Sequence, residues 1–481
     1  MPLQVIIVGA GIAGLSAAIS LRRAGHEVHI YERSAMNNEV GAAINVPPNA
    51  IRFLTAWGID PVASRFCKAR ETSFVDPVTL ETTATISHER NRARYGGADL
   101  WYAHRVDLHD SLKKLATGGS GPGRAAKIYL KSVIVGYNPD TPSITLADGT
   151  IVKGDLVIGA DGIHSLASET VLGRKVEPTP PAHYNCCYRF LIPAATVEAD
   201  PETRFWNLDA EHPGEKPGLR IITHNETSRR MVSYPCRNHE VHNFVGIFCD
   251  PDLKSATRED YMASVDKATV LEKFAGFSPS LLAVVNKATE IKRWPLLYRP
   301  PTSTWRKGRL ILAGDAAHPM LPHQGQGGAQ GLEDGCVLGI VMYGSSDDPE
   351  EIKRRLELYE QIRRNRASAI QVLSNVGQDQ SHLVYEELKQ YMEEKDIPTN
   401  PSEILGFTFA YDVVGAAVKV MKGYDAAFEA PAAFKLEPAT TASQSSDGGS
   451  DITEMDEKVG KEGDLNGFMA YVGMMRKYLG I

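Results

Sequence analysis

The chain has 481 residues, 43% hydrophobic and 23% charged, with a formal net charge of −7; it is too long for one ordinary core and fits two or three domains of roughly 100–200 residues each. The acidic balance argues against a nucleic-acid partner, and "EIKRRLELYEQIRRNR" alternates in sign as an exposed helix face does. No stretch reaches the about 18 consecutive apolar residues of a membrane span, and six cysteines without a CxxC spacing read as free thiols in a reducing compartment, which places the chain in the cytoplasm.

"LQVIIVG" predicts a buried strand, "AGLSAAISLRRAG" a helix ending near Gly25, and "EVHIYER" a second strand, together a βαβ opening. The turn between the first two, "GAGIAGL", places Gly9, Gly11 and Gly14 as GxGxxG. The first glycine makes the turn, the second lets a pyrophosphate approach the backbone, and the third lets helix and strand pack closely. Glu32, at the end of the second strand, is placed to accept from ribose hydroxyls and would repel a 2′-phosphate, which disfavours NADP at this site. FAD and NAD both remain open on this motif alone.

After an irregular region come the helix "VDLHDSLKKLA" and the strands "KIYLKSVIVGY" and "SITLADGTIVKGDLVIGADG", with a hairpin signal at Asp148-Gly149. From 176 to 300 the pattern turns to strands separated by polar loops: "YNCCYRFLIP", "GLRIITHN", "RRMVSYPCR" and "NFVGIFC". "GRLILAGDAAHP" then returns to the short strand and glycine style of the beginning. The expected fold is therefore α/β: a discontinuous Rossmann-like dinucleotide-binding domain (1–175 and 301–348), an inserted sheet-rich domain (176–300), and a helical region (349–435). Residues 436–465 are poor in bulky apolar side chains and read as a flexible segment, and 466–481, "GFMAYVGMMRKYLG" within it, as a terminal helix.

Several motifs in order, over residues 3–430, give the chain a resemblance to the single-component, FAD-dependent aromatic hydroxylases, the group A flavoprotein monooxygenases. "GADGIHS" resembles that family's DG motif and assigns Asp161 to cofactor handling; "AGDAAHPMLPHQGQG" resembles its GD motif, in which Asp315 would bond the ribityl chain of the flavin. The helix beginning near Gly327, with Gly328 in its first turn, would direct unpaired N–H groups toward the flavin. Arg105 in "AHRVDL" matches an FAD-contacting arginine, and "EVGAAINVPPNA" matches a loop that usually reads GAG, with Ala43 here in the third position; Ala329 stands where many relatives carry Asn.

In "CCYRFLIP" alternation puts Cys187, Arg189 and Leu191 on one face. A guanidinium on an apolar face needs an anion or an acceptor, and a substrate, a structural ion pair and an edge position reaching water all satisfy that need. The resemblance extends here to fungal members in which an arginine of this strand faces the substrate and a tyrosine of the neighbouring strand helps hold a phenolate, which assigns Arg189 and Tyr234 to the site. It implies FAD as cofactor, NADPH or NADH as reductant, O2 as co-substrate, and hydroxylation, epoxidation or dearomatisation of a small electron-rich aromatic such as a phenol or indole in fungal secondary metabolism. The alternative is an FAD-dependent dehydrogenase or oxidase without oxygen insertion. No metal site is read: His318 and His323 flank prolines without partners at ligand spacing. The sequence leaves the oligomeric state open.

Overall fold

The computed structural model describes residues 1–36, 42–181, 185–209, 214–224, 227, 229–253, 263–430 and 432–434; the expected flexible segment and terminal helix lie outside the described residues. Short runs of Val, Ile and Leu form a sheet buried on both faces, as parallel strands require. Leu310–Leu312, Leu156–Gly159, Gln4–Val8, Glu27–Tyr31 and Lys127–Tyr129 lie side by side in that order and in parallel, with Arg306–Lys307 antiparallel at one edge. Val157 pairs with Leu310, so a strand from late in the chain sits directly beside the opening ones. The Asp148-Gly149 hairpin forms between Ser143–Leu146 and Ile151–Lys153.

The helices Ile12–Arg23 and Gly327–Met342 pack on each other at unusually close range. A Cβ on Gly331 would lie 3.0 Å from that of Ala13, one on Gly335 would overlap the Ala17 amide, and one on Gly339 would overlap Ser20. Three glycines four residues apart thus face three small residues of the partner helix, and the two helices run parallel. Ser16 and Ser20 donate their hydroxyls across the seam to the Leu332 and Cys336 carbonyls at 2.9 and 3.1 Å.

A second sheet of seven strands runs Ile291–Pro295, Cys186–Pro193, Val241–Phe248, Arg229–Cys236, Leu219–His224, Glu71–Val75, Thr82–Ser87. The last two come from the region expected to be irregular, within the 1–175 segment. They join because Glu71–Val75 pairs in parallel with Leu219–His224, a contact between distant parts of the chain. One face of this sheet is a dense aromatic core of Phe190, Phe244, Phe248, Phe274 and Trp206. The other meets the loop around Leu321.

Pro349–Leu373 starts cleanly, with Asp348 accepting from the Glu350 and Glu351 amides and proline in the first position. Three of its arginines depart from the expectation of a solvated face, while Glu350, Lys353, Arg354 and Glu357 form solvated pairs on it. Arg355 is buried and donates to the Val341 and Tyr343 carbonyls, capping the end of the glycine-faced helix. Arg363 and Arg366 are buried against Glu333 and Asp334. Among the described residues no single helix is long and apolar enough to cross a membrane.

Burial pushes His88 down to about 4 and His242 and His323 down to about 3, so all three are neutral in the fold. A lowered histidine contributes stability that is complete above its unfolded value of about 6.5 and is lost as pH falls toward the folded value. Stability should therefore decline from pH 7 to pH 5, with each of these histidines contributing on the order of 2 kcal/mol to the loss; chemical denaturation at the two pH values measures it, and equal stability would contradict the assignment.

Gly335→Ala should lower the melting temperature, because forcing the helices apart costs about 1–3 kcal/mol and outweighs the roughly 1 kcal/mol gained in helix propensity. Gly423→Ala, in the helix Val413–Tyr424 where a Cβ meets nothing within 4 Å, is the control and should not.

Candidate active site

Three motifs meet where three neighbouring parallel strands end, the position at which open α/β sheets bind ligands. Gly9 follows Val8, Ala160 follows Gly159, and Ala313 follows Leu312; Ala160 donates to the Val8 carbonyl at 2.8 Å and Ala313 to that of Gly159 at 3.0 Å. Gly9 has a φ of +101° and a Cβ there would overlap Ala160, while a Cβ on Gly14 would overlap Gly9 itself. Gly11 has open space where its Cβ would be. Two glycines are thus consumed by packing, and the middle one leaves room for a ligand.

Gly11 caps the helix Ile12–Arg23 and Gln326 the helix Gly327–Met342, neither with a side-chain bond. Since the helices run parallel, two sets of unpaired N–H groups and two positive dipole ends point the same way. Gly314 (φ +61°) closes the arrangement, because its Cβ would lie 2.6 Å from that of Ala13, and so places Asp315 beside the first helix. Gly328 faces Ile44, whose Cδ1 would be 2.7 Å from a Cβ.

Within Gly314–His318, Asp315 alone is exposed. It is open to water yet surrounded by protein, as at the bottom of a cleft; desolvation raises its carboxyl pKa, opposed by His318, Arg105 and Arg299. Arg105 begins the helix Arg105–Thr117 and donates its amide to the Ala42 carbonyl at 2.9 Å. Glu32 stands at the end of its strand, where its carboxylate accepts from the Ala10 and Ser34 amides at 2.8 and 2.7 Å. That leaves about half of its acceptor sites for a ligand.

Asp161 is engaged by the fold. Its carboxylate accepts from Tyr137 Oη at 3.0 Å, from the Ala167 amide at 3.1 Å and from Ser165. These bonds fix the shape of the loop that follows the strand Leu156–Gly159.

Beneath the Asp315 loop lies a charge network that sequence reasoning missed. Asp334 accepts from the Gly314 amide at 2.8 Å, from His318 Nε2 at 2.6 Å and from Arg363 Nε at 2.8 Å. Glu333 meets Arg363, Arg366 at 2.8 Å and Asn49 at 2.7 Å. Facing cations hold both carboxyls low against burial, Asp334 at about 2. Arg299, also missed, bonds the Asp315 and Ala316 carbonyls at 2.9 and 3.0 Å and Ser168 at 2.9 Å, joining the Asp315 loop to the Asp161 loop. One signal was available: two acids inside the otherwise apolar "GGAQGLEDGCVLGIVM" require buried cations.

Arg189 lies on the face of the seven-stranded sheet that meets Leu321, with Cys187 and Val245. It is half-buried, its guanidinium stacks over Trp294 at 4.9 Å from the ring centre, and its buried Nε has no hydrogen-bond partner. Tyr234 stands on the same face of the sheet as Arg189. Its hydroxyl donates to the Ala43 carbonyl at 2.9 Å, and its ring packs among Tyr102, Leu219 and Phe409. Among the described residues no group of His, Cys, Asp and Glu is arranged to hold a metal ion.

The paired helix ends, the open glycine and the carboxylate at the second strand are the features a dinucleotide cofactor requires. An FAD binding domain model matches residues 138–374, and an NAD(P)-binding Rossmann-like domain model matches residues 7–42. The chain is 47% identical over 426 residues to the FAD-dependent monooxygenase cfoG of Aspergillus candidus, spanning 89% of this chain and 96% of that one. It is 31% identical over 438 residues to hispidin-3-hydroxylase of Neonothopanus nambi, spanning 87% and 96%. A solved salicylate hydroxylase substrate complex shares the fold, with a TM-score of 0.66 at 22% identity, covering 87% of this chain and 98% of that one. These relatives favour oxygen insertion over the dehydrogenase or oxidase alternative. With cofactor motifs in place and such identity along almost the whole of both chains, this protein belongs to the FAD-dependent monooxygenases.

Proposed function

We propose that the protein inserts one atom of O2 into a small electron-rich aromatic, a phenol or an indole, held between the Arg189 face of the seven-stranded sheet and the Asp315 loop, with NADPH or NADH as reductant. The reaction balances as NAD(P)H + H+ + O2 + ArH → NAD(P)+ + ArOH + H2O. FAD, when bound, accepts the hydride and activates oxygen. The residues that would hold it are Gly11 and the two helix ends at the phosphates, Glu32 at the ribose, and Asp315 and Arg105 beside the ribityl chain. The likeness to fungal monooxygenases supports a place in secondary metabolism, and six free thiols support a reducing, cytosolic setting.

The single observation that carries the substrate assignment is Arg189. A stacked, half-buried guanidinium with an unpartnered buried nitrogen calls for an acceptor. A phenol beside it is favoured as phenolate, which pushes electron density into the ring to be oxidised. Cys187, Val245, Leu296 and Leu321 supply apolar walls that exclude water from the reacting centre. The buried network under the loop holds Asp315 where the two helix ends converge, so the cofactor side of the cleft is built before substrate arrives.

Arg189→Ala should retain FAD and lower the rate of product formation by about 10²–10³, the scale seen when one preorganised donor is removed; normal product yield would count against the assignment. Asp315→Ala should weaken FAD binding by roughly 10–100-fold, the loss of one hydrogen bond to a charged group. Fluorescence titration of the apoprotein measures this, and unchanged affinity would remove Asp315 from the cofactor site.

A further inference from the structure

We propose that Asn243 and Tyr234 are positioning residues that together replace a missing strand at Ala43, and that by holding this segment, whose Ile44 packs on Gly328 at the start of the second helix, against the sheet that carries Arg189 they determine how much reductant ends in product. The second half rests on the monooxygenase reading above; the clamp itself does not. Ala43–Val46 is an edge strand, paired on one side only, with Trp101–His104. In a strand the N–H and C=O of one residue point to the same side. The outward pair of Ala43 is satisfied by two side chains: its amide donates to Asn243 Oδ1 at 3.0 Å and its carbonyl accepts from Tyr234 Oη at 2.9 Å.

Tyr234 and Asn243 stand directly opposite each other on the neighbouring strands Arg229–Cys236 and Val241–Phe248. Asn243 is fully buried, and its Nδ2 has no partner, so the Ala43 amide alone fixes which way its carboxamide faces. Keeping an unsatisfied buried donor in order to present one acceptor marks the Ala43 bond as the function of this side chain. On the other side Ala42 accepts from the Arg105 amide at 2.9 Å. Residues 42 and 43 therefore join the start of the Arg105 helix to the sheet that carries Arg189.

The hairpin between the same two strands grips that helix again. Arg237 donates to both oxygens of Asp107 at 3.0 and 2.9 Å. Its tip holds Arg237, Asn238 and His239 at φ values of +52°, +54° and +63°, three successive non-glycine residues in the left-handed region. Such a turn persists only where docking over-determines it, here by the Asn238 amide on the Arg65 carbonyl and the His239 amide on Cys67 Sγ, both at 3.1 Å.

The test compares Asn243→Leu and Tyr234→Phe with the wild type by amide hydrogen exchange of the peptide containing Ala43, with and without FAD, and by product and peroxide formed per NAD(P)H oxidised. Uncoupled turnover balances as NAD(P)H + H+ + O2 → NAD(P)+ + H2O2, so product and peroxide together account for the reductant. Asn243→Leu should speed exchange of the Ala43 amide at least tenfold, and both variants should shift turnover from product toward peroxide with FAD still bound. If Asn243→Leu does not fold, Tyr234→Phe, which removes one oxygen from an otherwise intact ring, carries the test on the same two readouts. Unchanged exchange overturns the clamp, and faster exchange with unchanged product yield overturns its role in coupling. A wild type that oxygenates no aromatic would instead overturn the proposed function, with exchange still deciding the clamp.

Discussion

The close approach of two helices through glycine sets the geometry of everything above it. With Gly331, Gly335 and Gly339 against Ala13, Ala17 and Ser20, only alanine and serine side chains lie between the backbones, and two serine hydroxyls cross the seam. Helices packed through larger side chains lie about 8–10 Å apart, and here the glycines allow a closer approach. Here the two helix starts, one at Gly11 and one at Gln326, lie side by side without side-chain caps, and their dipoles point the same way.

That convergence puts a polar loop in the middle of the protein, and the buried charges beneath it answer the resulting problem. Asp334 links the Gly314 amide, His318 and Arg363, and Glu333 is met by two arginines and an asparagine. Removing one partner from such a group leaves an uncompensated buried charge, a loss of about 3–5 kcal/mol. The long helix Pro349–Leu373 contributes those arginines, and its Gln371 adds bonds to the Arg299 and Pro319 carbonyls at 2.6 and 2.9 Å. The helical region thereby braces the Asp315 loop, although none of its side chains was read as doing so.

What was legible in the sequence is what the chain encodes locally. Strand, glycine turn and helix follow one another within a few residues in "IIVGAGIAGL", so the fold class could be read from a short stretch, while FAD came from the resemblance carried by that motif together with "GADGIHS" and "AGDAAHPMLPHQGQG". Partners distant in the chain were not legible. Arg363 and Arg366 looked like members of a solvated, sign-alternating face because periodicity cannot tell which arginine meets Glu333. Tyr234 was assigned to the site by resemblance, but the bond of its hydroxyl to a backbone carbonyl 191 residues away was not legible. Asn243 carried a weak signal, a lone amide in the apolar run "VHNFVGIF", but nothing nearby names the Ala43 amide as its partner.

The central claim, that this cleft transfers oxygen to an aromatic ring, is tested most directly with isotopically labelled O2. The FAD-loaded protein would be incubated with NADPH or NADH, a panel of phenols and indoles, and 18O2, and the products analysed by mass. The account predicts a product that carries a single 18O atom, formed only when reductant and aromatic are both present. Oxidation of the reductant with every aromatic left unchanged and all the label in peroxide, or oxygenated product carrying oxygen from water, would contradict it.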